Sequence, residues 1–184
     1  MNVPNALTLS RLAMVPWIVG AILSGRHALA LAMFAAAAAT DVADGAAARR
    51  FGQVSRTGAC LDPIADKCLL SGVFLALAAS GIVPWWLVVV IFGRDLYILA
   101  GAVLLMRLTT IRKFPPSIWG KASTFVQIVT AAAWLGRDAF PAGWTSRFSS
   151  ATVWPCAAIT VWSGLHYGWR AVHQWRIDAL PARE

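Results

Sequence analysis

The chain is a succession of long apolar runs separated by short polar or basic breaks. Six runs approach the roughly 20 mainly apolar residues a helix needs to cross a bilayer: residues 9–24, 28–48, 61–80, 84–106, 117–136 and 150–169. The breaks are Ser24-Gly25-Arg26-His27, the basic stretch 49–58, Gly81 to Pro84, the run from Arg107 to Pro116, and segment 136–149 with its Gly, Pro and Arg residues. Lipid-exposed strands are excluded, because an open sheet edge leaves backbone groups unsatisfied in hydrocarbon. The pattern therefore predicts an all-α integral membrane protein of six transmembrane helices, a single domain over 1–184. Before the first run, Pro4 interrupts regular helix and Leu7, Leu9 and Leu12 stand among polar residues, which predicts a short interfacial helix leading into span one.

Composition agrees. The chain is 59% hydrophobic and 13% charged, where a soluble domain carries about 25% charged residues. Lys and Arg number 16 against 8 Asp and Glu, a net charge of +8. On a soluble domain that balance suggests nucleic acid; on a membrane protein it means basic loops facing the cytoplasm and anionic lipid, with no nucleic-acid partner. With the N-terminus inside, Arg11, Arg49, Arg50, Arg56, Lys67, Arg107, Arg112, Lys113, Lys121, Arg170, Arg176 and Arg183 fall on the cytoplasmic side. Only Arg26, Arg137 and Arg147 fall opposite, and Arg94 lies within span four. Both termini are then cytoplasmic, in a bacterial inner membrane or its equivalent. Cys60, Cys68 and Cys156 show no CxxC and read as small apolar fillers. The N-terminus lacks a basic region followed by a cleavage site, so no removable signal is expected.

The acids are not scattered. Asp41, Asp44, Asp62 and Asp66, half of all acidic residues, fall within 26 positions. Ionisable groups in a span cost about 2.5–3.5 kcal/mol each even on insertion scales. Asp41 and Asp44 are i, i+3 at the end of helix two, and Asp62 and Asp66 are i, i+4 at the start of helix three, so each pair shares a face. A cytoplasmic turn between the helices brings the pairs to one edge, where four carboxylates repel and hard divalent cations relieve them. One pair alone reads better as helix caps and salt bridges with Arg49, Arg50, Arg56 and Lys67; both pairs in one membrane chain do not. Gly45 and Gly58 let a ligand approach the backbone, and Arg49 offers a fork to phosphate oxygens. Pro63 after Asp62 fits a helix that begins or is kinked there, and a helix start offers free N–H groups to an anion. Cations, guanidinium and bare backbone together point to a diphosphate.

Asp41-x2-Asp44-Gly45-x2-Ala48-Arg49-x8-Gly58-x3-Asp62-x3-Asp66 fills every position of the D-x2-D-G-x2-A-R-x8-G-x3-D-x3-D pattern of the CDP-alcohol phosphatidyltransferases, a family the chain resembles. Asn5 to Arg11 resembles the N-x-LT-x-x-R segment of the branch making phosphatidylglycerol phosphate and cardiolipin. Residues 59–67 resemble that branch's helix three, and Ser117-x2-Gly120-Lys121-x2-Thr124-x2-Gln127 its S-x-x-GK-x-x-T-x-x-Q segment. The resemblance implies six helices, a homodimer, a site open to the cytoplasmic leaflet, and transfer from CDP-diacylglycerol to a glycerol-type alcohol with release of CMP. It implies that Asp41, Asp44, Asp62 and Asp66 hold two Mg²⁺ or Mn²⁺ ions, that Asp66 is also the general base, and that Gly45, Arg49 and Gly58 contact nucleotide and diphosphate.

For the acceptor, Arg94 and Asp95 inside span four, with Arg107, Arg112, Lys113 and Lys121, suggest a cationic pocket for glycerol 3-phosphate. The phosphatidylglycerol phosphate synthase pattern has R-E followed by a second Arg two turns on; here Arg94-Asp95 is followed by Gly101 and Ala102, a form closer to cardiolipin synthases, whose acceptor is phosphatidylglycerol. A divalent-cation transporter would use the aspartates but not Gly45, Arg49 and Gly58 at their spacing. An intramembrane prenyltransferase would need more spans.

Overall fold

In the computed structural model the chain is described over residues 3–51, 56–108 and 117–179, with side chains described over 9–40, 65–104, 106–107, 117–173 and at 175. The described residues form six helices and no strand: α1 Val3–Leu23, α2 His27–Phe51, α3 Arg56–Ala79, α4 Trp85–Leu108, α5 Ile118–Ala139 and α6 Gly143–Ala179. All six expected spans are helical. Trp85–Leu104, with a mean hydropathy of 2.1, is long and apolar enough to cross a bilayer, while Leu9–Leu23 and His27–Thr40 are apolar over shorter lengths.

Three local expectations are corrected. No separate interfacial helix precedes α1, which runs unbroken from Val3; Pro4 sits in the first turn, where its missing N–H has no intrahelical partner to lose. Helix α3 begins at Arg56, ahead of Asp62, so Asp62 is not at a helix start. Cys68 is exposed rather than a buried filler, whereas Cys156 is buried. Helix α6 also extends beyond the expected span at both ends and carries Pro155 within it.

Two of the turns are set by glycine. Gly25 (φ 72°) and Gly81 (φ 70°) adopt the left-handed conformation that ends a helix. Arg26 N–H donates to Ala21 C=O at 2.8 Å and Gly25 N–H to Ile22 C=O at 3.0 Å; Ile82 to Leu77 (2.9 Å) and Gly81 to Ala78 (3.0 Å) repeat the arrangement. The carbonyls orphaned at each helix end are thereby satisfied.

The helices form two compact units. The first comprises residues 1–84 and 128–150. Its interior is aliphatic and aromatic: Ile18, Ile22, Phe34, Val73, Phe74, Leu77 and Leu135 are fully buried or nearly so. In it α1 packs against both α2 and α3. A Cβ on Gly72 would lie 3.0 Å from Val15 Cγ1 and 3.3 Å from Val19 Cγ2, so glycine lets α1 and α3 approach closely. Contacts of Arg11 with Asp66 and of Val15 and Val19 with Gly72 advance together along both chains, so α1 and α3 run parallel.

The second unit comprises residues 85–127 and 151–184. Here α4 and α6 run parallel, Trp86 facing Trp154 and Arg94 facing Ser163, while α5 is antiparallel to α6. Leu87, Val88, Ile91 and Cys156 are buried beside a polar seam, in which Gln127 Nε2 donates to Ser123 Oγ (3.3 Å) and Thr160 Oγ1 (3.2 Å). Small hydroxyl residues allow close helix approach and supply hydrogen bonds where lipid offers none. Trp17, Trp85, Trp144, Trp154 and Trp169 are exposed, as interfacial or lipid-facing anchors are.

Candidate functional site

The four motif aspartates stand on the adjoining ends of α2 and α3. The backbone is helical through Asp41, Asp44, Gly45 and Arg49 on α2, and through Gly58, Asp62 and Asp66 on α3. The i, i+3 and i, i+4 spacings therefore do place each acid pair on one helical face. The chain from Phe51 to Arg56 reaches no further than about 18 Å, which bounds the separation of the two helix ends. The side chains of Asp41, Asp44, Arg49 and Asp62, with Gly45 and Gly58, lie outside the described residues. Among the described side chains, no three His, Cys, Asp or Glu come together as a metal site.

Asp66 is described, and its environment is informative. Arg11 Nη1 donates to Asp66 Oδ1 at 3.0 Å, across 55 residues of sequence. The arginine side chain is 2% exposed and the carboxylate 40% exposed. One end of the pair is thus built into the helix packing and the other is open to a ligand. The close approach at Gly72 places Arg11, one turn before Val15 on α1, within reach of α3. Gly72→Leu is expected to force the helices apart, costing about 1–3 kcal/mol as other overpacked cores do. Thermal unfolding in detergent checks this; an unchanged midpoint contradicts the close packing.

Arg11 is the residue sequence reasoning passed over. It belongs to the N-x-LT-x-x-R segment, but nothing in the spacing of α1 reveals which acid it meets. A buried cation in an apolar helix is the signal that points to a partner.

The acceptor candidates lie in the second unit and are not gathered into one described cluster. Arg94 is 10% exposed and donates through Nη1 to Asp95 Oδ1 (2.8 Å) and through Nη2 to Ser163 Oγ (2.6 Å). Its Cζ lies 5.8 Å from the ring centre of Tyr167. Tyr167 Oη accepts from Ser117 N–H at 2.8 Å, and Ser117 Oγ accepts from Gly120 N–H at 3.0 Å, capping α5. A Cβ at Gly120 would meet Tyr167 at 3.1 Å and Arg94 Nη2 at 3.4 Å, which accounts for glycine there. Arg107 and Lys121 are exposed, and Arg112 and Lys113 lie outside the described residues. Arg94 thus gives one hydrogen bond from each Nη, to α4 and to α6, while Nε is buried with no hydrogen-bond partner among the described residues.

Beside this cluster α4 and α6 border a half-open cavity of about 360 Å³, lined by Tyr97, Gly101, Ala102, Gly168, Ala171 and Trp175 among others. It falls within the roughly 300–1,000 Å³ usual for ligand sites. Its walls are almost entirely apolar. A Cβ at Gly168 would collide with the Tyr97 hydroxyl, whereas one at Gly101 would meet nothing within 4 Å.

Residues 1–162 match the CDP-alcohol phosphatidyltransferase family. The chain is 37% identical over 180 residues to a probable phosphatidylglycerophosphate synthase of Mycobacterium tuberculosis, covering 93% of this chain and 82% of that protein. It is 38% identical over 126 residues to a putative cardiolipin synthase of the same organism, covering 68% of this chain and 60% of that one. A CDP-diacylglycerol–glycerol-3-phosphate 3-phosphatidyltransferase of Bacillus subtilis is 30% identical over 195 residues, covering 93% and 97% respectively.

Proposed function

The chain belongs to the CDP-alcohol phosphatidyltransferase family, and from that premise we propose that it transfers the phosphatidyl group of CDP-diacylglycerol to glycerol 3-phosphate, with release of CMP at the cytoplasmic face of a membrane. It is a transferase of phospholipid biosynthesis. The observation carrying the finer reading is the complete acid motif on two adjoining helix ends, with Asp66 open on one side and anchored on the other. Glycerol 3-phosphate comes first because a relative named for that chemistry is 37% identical over 93% of this chain, whereas a cardiolipin synthase of equal coverage is 30% identical.

The reaction needs three things from these residues. Asp66 accepts the proton of the acceptor hydroxyl as its oxygen bonds to the phosphorus of the phosphatidyl group. The bond from that phosphorus to the CMP oxygen breaks, and CMP leaves. Arg49 and the bare backbone at Gly45 and Gly58 orient the diphosphate. Asp41, Asp44, Asp62 and Asp66 are an all-oxygen set suited to two Mg²⁺ or Mn²⁺ ions, and the one described member presents a partly open carboxylate, which fits that role. When bound, the cations neutralise the diphosphate and the charge that develops in the transition state.

A second acceptor, phosphatidylglycerol, is favoured by the apolar cavity at Gly101 and Ala102, which offers room for an acyl chain and no cation for a free phosphate. Incubating the purified protein with CDP-diacylglycerol and either radiolabelled acceptor separates the two. With glycerol 3-phosphate as acceptor, the cavity-filling Gly101→Phe changes turnover less than threefold. With phosphatidylglycerol as acceptor, the same change lowers turnover tenfold or more. CMP release with neither acceptor, using folded protein, refutes both.

A further inference from the structure

We propose that Arg11 is a positioning residue of the transfer reaction: by holding Oδ1 of Asp66 it fixes the orientation in which the carboxylate meets the substrate. The inference rests on the reading of Asp66 as part of the catalytic machinery.

The asymmetry of the pair carries the argument. A surface ion pair leaves both groups wet, and a purely structural buried pair hides both; here the guanidinium is 2% exposed and the carboxylate 40%. Enclosing an arginine in an apolar helix bundle is unfavourable unless its charge is met. The charge is met by the aspartate that ends the motif, 55 positions away. Asp66 stands on a helix and its carboxylate can rotate about its side-chain torsions. A donor 3.0 Å from Oδ1, mounted on a second helix packed closely at Gly72, removes that freedom. Displacement of a reacting group by about 1 Å is enough to slow a reaction about 10²-fold. Arg11 also sets a positive charge beside a carboxylate that is expected to bind cations. It therefore favours placement of Asp66 over the tightest possible grip on metal.

That trade gives a test in which two readouts separate. Arg11→Met keeps most of the side-chain volume and removes the charge and donors. It is expected to lower kcat about 100-fold while KM for CDP-diacylglycerol changes less than threefold, and Mn²⁺ affinity, followed by the electron-spin signal of free Mn²⁺ without substrate, stays equal or rises. Arg11→Lys restores one charged donor and is expected to regain about tenfold of the lost rate; it also carries the test should the methionine variant not fold. A kcat within threefold of wild type for Arg11→Met overturns the proposal. So does a parallel fall of kcat, Mn²⁺ affinity and thermal midpoint, which marks a merely structural role, and so does a lysine variant no better than methionine. Asp66→Asn separates this from the underlying reading. If that variant keeps releasing CMP, the role of Asp66 itself fails; if it is inactive while Arg11→Met is not, only the positioning role fails.

Discussion

Asp66→Asn is expected to lower CMP release by about 10²–10⁴-fold, the range a positioned general base contributes. The change is nearly isosteric. An amide oxygen still accepts the hydrogen bond from Arg11, so the contact between α1 and α3 is kept, at the cost of the ionic part of that bond. What is lost is a group that can take a proton from the acceptor hydroxyl, together with one negative charge from the acid set. The larger loss should therefore fall on turnover, with a smaller fall in the thermal midpoint because the buried Arg11 loses its counter-charge. Release of labelled CMP from CDP-diacylglycerol, measured beside the thermal midpoint in the same detergent, is the check. Activity within tenfold of wild type, with an unchanged midpoint, sinks the assignment of Asp66.

Removal of divalent cations is expected to stop turnover altogether, and Mg²⁺ or Mn²⁺ to restore it. Two aspartates on α2 and two on α3, at helix ends joined by a short connection, repel one another and also repel the diphosphate of the donor. Without a counter-charge the donor meets an acidic site; with one, the same carboxylates become ligands. Asp44→Asn removes one such ligand, and the Mg²⁺ concentration giving half-maximal rate should rise tenfold or more while the enzyme remains rescuable at high metal. Turnover that survives exhaustive chelation, or a variant whose metal requirement is unmoved, contradicts the assigned ligand set.

The helices were legible in the sequence because each is a local property. Apolar length, the positive-φ glycines Gly25 and Gly81, and the basic breaks lie within single stretches of chain, and α2, α4 and α5 follow the expected spans closely. The N-terminal segment was misread because Pro4 in a first turn permits a helix as readily as it ends one. Pro63 stands inside α3, at its eighth residue, and so does not mark the helix start. Family membership was likewise legible, because eight fixed residues on two helices occupy a short window, and residues 1–162 match the family.

What the sequence alone determined is the content of each helix: its length, and, where an acid pair falls on helical backbone, the face that pair shares. The regular rise and turn of a helix convert spacing into position without reference to anything else. What only the tertiary structure decided is which distant residues meet: Arg11 with Asp66, Arg94 with Ser163 and Tyr167, and the opening between α4 and α6 at Gly101. Those meetings depend on how closely two helices approach, and that is set where small residues such as Gly72, Gly120 and Gly168 face a larger neighbour, a match between surfaces that no single stretch of chain contains.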